Sequence, residues 1–227
     1  MGIRDHLDSR LGSAASRAMH DLNARHPWSH NDHFHSWILH ELPGRRRAAL
    51  DVGCGHGGLL VELAPWFDRV EGIDRDAGMR EVAARRTAEL PHVDVPDTRF
   101  EDLTGPFDLI TMIAVLHHLD LEQALTRVRD LLAPGGRFLC VGLAPPASLR
   151  DHAWDMASMA TNPLIGAVKH PWPARRGPGA ASDGAPPIKD PSIPLDELVR
   201  RAAPILPGLR ARRHLAFRHT LAWTRPE

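Results

Sequence analysis

The sequence predicts an α/β fold, a three-layer α/β/α sandwich built on a mostly parallel sheet. Three observations carry that expectation. Apolar, strand-like runs alternate with helix-like stretches through short connections from about residue 45 to 142, the pattern of a parallel sheet with helices on both faces. Ala48-Ala49-Leu50-Asp51-Val52 feeds a glycine-dense turn, Gly53-Cys54-Gly55-His56-Gly57-Gly58, and then the helix-like Leu59-Leu60-Val61-Glu62-Leu63. A strand, glycine loop and helix of this kind hold a nucleotide-like ligand at the strand's carboxyl end. Finally, Leu209 to Trp223 reads as two strands so close together that they can only pair antiparallel.

In chain order, Leu7, Leu11, Ala15, Ala18 and Leu22 recur at near-helical spacing, predicting a helix from about Ile3 to Ala24. His26-Pro27-Trp28-Ser29 interrupts it, and a second short helix runs from about Asn31 to Leu42 before Pro43-Gly44. Arg45 to Val52 is the first strand and Gly58 to about Trp66 the first core helix. Phe67 to Asp74 is a second strand ending in a carboxylate, and Asp76 can cap a helix reaching about Leu90. Pro91 to Asp97 reads as loop, Thr98-Arg99-Phe100 as a short third strand, and Phe107 to Ala114 as a fourth, apolar enough to be central. Asp120-Leu121-Glu122-Gln123 is a capping-box-like start; Leu121, Leu125, Val128 and Leu132 then share one helical face. Pro134-Gly135-Gly136 ends that helix and turns into a fifth strand, Arg137 to Gly142.

Leu149 to Val168 is expected to be partly helical, and Lys169 to Ser192, rich in Pro, Gly and Ala, to be a loop. Pro194 suits the first turn of a helix running to about Pro204, with Asp196 and Glu197 beside it. The expected organisation is one domain over 1–227: a helical cap (1–44), a cofactor-binding core (45–143), a helix with a Pro/Gly-rich lid loop (144–192), and a terminal helix with its strand pair (193–227).

Composition narrows the function. Hydrophobic residues make up 43% and charged residues 25%, as in a water-soluble globular domain. Lys+Arg and Asp+Glu balance at 28 each, so no global field advertises a polyanionic partner. Cys54 and Cys140 are the only cysteines and sit in strand or strand-end positions, which reads as reduced thiols in a cytoplasmic protein. Met1 to Arg10 lacks the apolar stretch of a signal peptide, and no run approaches membrane-spanning length. His30, His33, His35 and His40 cluster ahead of the first strand, and they read as surface and pocket-lining side chains, not metal ligands.

Gly53-x-Gly55-x-x-Gly58, with Asp74 at the distance of a ribose-binding acid, matches the dinucleotide fingerprint of an NAD(P)-dependent oxidoreductase. Two features count against that tenant. Asp51 would repel a pyrophosphate, whereas it suits the ammonium and sulfonium of S-adenosylmethionine; its alternative role is only to organise the turn. The chain also has no tyrosine, and its two lysines, Lys169 and Lys189, lie in the expected loop, so a Tyr-Lys dehydrogenase site is missing.

Asp51-Val-Gly-Cys-Gly-His-Gly-Gly58 resembles the first motif of class I S-adenosylmethionine-dependent methyltransferases, and of their small-molecule branch that includes the ubiquinone/menaquinone-biosynthesis type. The resemblance extends through Glu71-Gly-Ile-Asp74, Phe107-Asp-Leu-Ile110, Val115-Leu-His-His-Leu119 and Leu132-Ala-Pro-Gly-Gly136, covering about residues 47 to 142 in order. It implies a Rossmann-like, seven-stranded, mostly parallel sheet with an antiparallel final strand, and S-adenosyl-L-methionine as cofactor with S-adenosyl-L-homocysteine as product. It also implies cofactor contacts from Asp51, Gly53, Cys54, Gly55, Asp74, Arg75, Met79, Phe100, Glu101 and Ile113. Asp74 would accept the ribose hydroxyls, and Phe100 and Glu101 would lie at the adenine edge, where many relatives have an aspartate near the position of Arg99. Relatives carry the pattern Asn31-x-x-aromatic-His35 with a tyrosine where this chain has Phe34.

His117 and His118 follow the fourth strand, where sulfonium and acceptor should meet; either is a candidate base, or the pair simply starts the next helix. The acceptor is expected to be a small molecule. The Asp/Asn-Pro-Pro-aromatic motif of amino-directed DNA methyltransferases is replaced by Ile113-Ala114-Val115-Leu116, and neither cysteine follows a proline. Its pocket would draw on His30, Asn31, His35 and Trp154, with Met156, Met159 and Trp172 as further apolar candidates. A non-catalytic cofactor-binding protein on the same fold is the remaining alternative.

Overall fold

A computed structural model of the chain describes residues 34–143, 145, 192–214 and 218–227. These all belong to one compact unit, His30–Ala147 with Lys189–Glu227. The expected helix over Ile3–Ala24, the residues His30, Asn31, Trp154, Met156, Met159 and Trp172, and all but the last residue of the loop from Lys169 to Ser192 lie outside the described residues.

Seven strands form one sheet: β1 (Ala48–Val52), β2 (Arg69–Ile73), β3 (Val93–Asp94), β4 (Phe107–Ile113), β5 (Leu132–Leu143), β6 (Arg210–Arg213) and β7 (Arg218–Thr224). Their order is β3-β2-β1-β4-β5-β7-β6. The first five run parallel, β7 pairs antiparallel with β5, and β6 pairs antiparallel with β7. The expected Rossmann-like, mostly parallel sheet with an antiparallel end is therefore present. Between β1 and β4 the chain reverses its direction of travel across the sheet, the switch point where α/β folds bind ligands outside the strands' carboxyl ends.

Five helices accompany the sheet among the described residues: α1 (His35–His40), α2 (Gly58–Leu63), α3 (Ala77–Arg86), α4 (Leu121–Leu131) and α5 (Leu195–Ala202). Two starts follow from single side chains. The Asp76 carboxylate accepts the Met79 amide and the Asp120 carboxylate accepts the Gln123 amide, both at 3.0 Å, each satisfying a donor the helix itself cannot. Strand alternation then sorts the core into two layers. Leu50, Val52, Ile110, Met112, Leu221 and Trp223 pack with Leu125, Val128 and Leu198 of α4 and α5. Ala49, Leu109, Leu139 and Ala222 pack with Ile38 of α1 and Leu59, Leu60 and Leu63 of α2.

Two expectations need correction. Thr98-Arg99-Phe100 is not a strand; Phe100–Asp102 is a single helical turn, and the third strand is Val93–Asp94, within the stretch read as loop. Val93 and Asp94 pair with Val70 and Glu71 at the sheet's edge, a ladder too short to leave an alternating pattern. Pro134-Gly135-Gly136 is also not a turn ahead of β5. The strand begins at Leu132, and the glycines sit in an irregular register where the pairing jumps from Phe107↔Leu132 to Leu109↔Arg137.

Asp108 ties the sheet together at its amino-terminal edge. Its buried carboxylate on β4 accepts the Arg47 amide (2.7 Å), the Ala48 amide (3.2 Å) and Arg45 Nε (2.6 Å), fixing the entry to β1. Asp108→Ala leaves these donors without their acceptor and should cost about 3 kcal/mol. The measurement is the urea midpoint at constant m value; an unchanged midpoint contradicts the anchoring role.

Candidate active site

The glycine loop is laced to the end of β2. Ile73 O accepts the Gly53 and Cys54 amides at 2.7 and 3.0 Å, and Asp74 Oδ2 accepts the Gly55 amide at 2.9 Å. Asp74 Oδ1 accepts the Asp76 amide at 2.9 Å. Asp74 is thus oriented by two backbone donors, and an ionised carboxylate keeps lone pairs for further partners. Arg80 braces the same corner by donating to Asp74 O and Arg75 O, and it pairs with Asp97.

Two glycines explain the loop's shape. Gly53 has φ +75°, and a Cβ there would lie 2.2 Å from Val115 Cγ2, so the loop and the exit of β4 close on each other only without a side chain. Gly55 has φ +50°, and among the described residues no atom stands within 4 Å of where its Cβ would be. That open face, beside the pinned Asp74 carboxylate, fits a ligand lying against bare backbone.

Asp51 is 3% exposed. It lies opposite Gly72 of β2 and Thr111 of β4, and Thr111 Oγ1 donates to its Oδ1 at 2.7 Å. Burial pushes the carboxyl up to about 7; the Thr111 hydroxyl and the nearby His35 pull it down, and Asp74 pushes it up. Burial, reinforced by Asp51 and Asp74, also raises the Cys54 thiol to about 12. Cys54 is therefore a neutral thiol in the loop, not a nucleophile.

His35, on α1, is buried; its Nδ1–H donates to Glu62 at 2.8 Å, and its ring approaches Gly58. This sets it beside the glycine loop. Of the remaining candidates, Arg75 and Glu101 are exposed, Met79 and Ile113 are half-buried, and Phe100 is buried.

His117 and His118 form a single helical turn with Leu116 directly after β4, their ring centroids 4.0 Å apart. The turn is set by Ala114, which adopts φ +58° while its amide donates to Val141 O at 2.8 Å. A left-handed alanine is strained, and nothing in the sequence marks it. Both histidines line a cavity of about 330 Å³ bounded by Leu116, Leu119, Gly142, Leu143, Ile193 and His219, among others. Thr111 and His219 fall in expected strands but not among the candidate site residues. Each carried one signal, a polar residue in an otherwise buried strand. No helix among the described residues is long and apolar enough to cross a membrane.

Comparison with known proteins bears on what this geometry serves. A family model described as a methyltransferase domain matches residues 50–138. The chain is 32% identical over 206 residues to an uncharacterized methyltransferase of Mycobacterium tuberculosis, covering 88% of this chain and 98% of the relative. It is 35% identical over 112 residues to a demethylmenaquinone methyltransferase of Symbiobacterium thermophilum, covering 44% of this chain and 43% of that one. In fold it resembles the N-methyltransferase NodS from Bradyrhizobium japonicum, with a TM-score of 0.54 at 19% identity, covering 86% of this chain and 96% of NodS. The chain belongs to the class I S-adenosylmethionine-dependent methyltransferase family.

The Asp51 environment gives a signed expectation. The folded carboxyl keeps its proton up to about 7, while an unfolded one loses it near ~3.9. Between those values the folded state binds more protons, so Asp51 makes stability fall as pH rises through that window. Asp51→Asn should flatten this part of the profile, read from urea midpoints between about pH 4 and pH 8. Parallel profiles for the two proteins contradict the burial effect.

Proposed function

We propose that this chain transfers a methyl group from S-adenosylmethionine to a small-molecule acceptor. The observation that carries the reading is the pair of carboxylates flanking one glycine loop: Asp51, buried at the end of β1, and Asp74, pinned by two amides after β2. A buried carboxyl with a hydroxyl partner suits an ammonium or sulfonium and not a pyrophosphate, which disfavours the NAD(P) alternative. In this reading Asp74 accepts the ribose hydroxyls, and the open face at Gly55 receives the methionine portion. Gly53, Cys54, Arg75, Met79, Phe100, Glu101 and Ile113 complete the cofactor surface.

When bound, the cofactor supplies an electrophilic methyl carbon on a sulfonium leaving group. The chain's task is to align the acceptor in line with that carbon and keep water out, an effect worth several kcal/mol. The His117–His118 turn lines a cavity at the carboxyl ends of β4 and β5. One of its imidazoles takes the acceptor's proton where that acceptor is an acidic hydroxyl or an ammonium. The cavity's volume is that of a small-molecule site.

Isothermal calorimetry with S-adenosylhomocysteine tests this directly. The folded chain should bind it, and Asp74→Asn should weaken binding by about tenfold to a hundredfold. The absence of binding to the folded wild-type chain, or an affinity unaffected by Asp74→Asn, contradicts the proposed cofactor site.

A further inference from the structure

His219 is a buried polar group that the reading above does not use. It is 2% exposed, and both ring nitrogens are buried with no hydrogen-bond partner among the described residues. Buried polar groups are almost always partnered, so an orphaned pair of ring nitrogens calls for an explanation. Its position supplies one. His219 lies near the start of β7, directly opposite Gly142 of β5, and shares a sheet face with Leu221 and Trp223. Both His219 and Gly142 line the cavity that also holds the His117–His118 turn.

The site is also shaped for the ring. A Cβ on Gly142 would stand 2.3 Å from His219 Nε2 and 2.5 Å from Cε1, so the imidazole occupies the volume a side chain at residue 142 would need. We propose that His219 recognises the methyl acceptor, the ring turning from its place over Gly142 so that a ring nitrogen hydrogen-bonds a hydroxyl or amino group of a small polar molecule held in this cavity. The proposal rests on the methyltransferase reading and deepens it by assigning the acceptor's chemistry.

The chemistry of the ring supports that class of ligand. Burial, with the cationic Arg213 and Arg218 and then His214 and His117, holds the imidazole down at about 4. It is therefore neutral at physiological pH and offers one donor and one acceptor. A hydroxyl or neutral amine, itself both donor and acceptor, can satisfy either nitrogen, whereas a hydrocarbon leaves both unpaired.

The test uses the full chain saturated with S-adenosylhomocysteine and labelled at the histidine ring nitrogens. Phenol and aniline are titrated as probes against toluene, which has the same ring and no polar group, and the His219 resonances are identified by their loss in His219→Gln. Phenol or aniline should shift the His219 nitrogens and bind about tenfold tighter than toluene. His219→Phe should bring the three probes to similar affinity, and Gly142→Ala, by displacing the ring, should do the same. The proposal is overturned if the His219 nitrogens do not respond, if wild type binds all three alike, or if His219→Phe discriminates as wild type does. Should His219→Phe or Gly142→Ala fail to fold, the wild-type resonances and affinities decide alone. Failure of S-adenosylhomocysteine to bind strikes the cofactor reading instead, and the probe comparison without it still decides on His219.

Discussion

A carboxyl group almost out of contact with water sits at the carboxyl end of the strand between β2 and β4, and the site is organised around it. Asp51 cannot avoid this place. On β1, Leu50 and Val52 face one core layer, and strand alternation turns Asp51 to the other, beside Ala49 and opposite Thr111. Desolvating a carboxylate is costly, and the protein offsets only part of that with the Thr111 hydroxyl and the nearby His35. The raised proton affinity of Asp51 is the remainder of that cost. A group held this way costs stability as pH rises toward about 7.

The rest of the site is built from the segments that meet at the end of β1. The glycine loop folds over the end of β2 through Ile73 O, which brings the Asp74 carboxylate to the Gly55 amide. Val115, leaving β4, fills the space a side chain at Gly53 would take. The glycine loop and the His117–His118 turn are therefore mechanically linked: enlarging residue 53 would push on the segment that carries both histidines. The antiparallel pairing of β5 with β7 does the same for the far wall by setting His219 over Gly142.

Much of this was legible in the sequence because it is local. Asp76 and Asp120 announce helix starts through their own hydrogen bonds, and the strand–glycine–helix run and the close terminal strands carry their geometry with them. What stayed hidden depends on pairing across the sheet. The two-residue β3 is defined by its neighbour β2 and not by its own pattern, and Pro134-Gly135-Gly136 looks like a turn until the β4 register is known. Thr111 matters only because it lies opposite Asp51, and His219 only because Gly142 leaves room for it. Ala114 has no sequence signal at all, since its left-handed conformation is imposed by the loop it closes.

The proposed cofactor site has Asp51 exchanging its proton for the cofactor's ammonium, which S-adenosylhomocysteine keeps although it lacks the sulfonium, and calorimetry in buffers of differing ionisation enthalpy measures this most directly. Binding of S-adenosylhomocysteine should release about one proton near pH 6 and none near pH 8.5, and Asp51→Asn should abolish the release. Release that is the same at both pH values, or that persists in Asp51→Asn, contradicts the account.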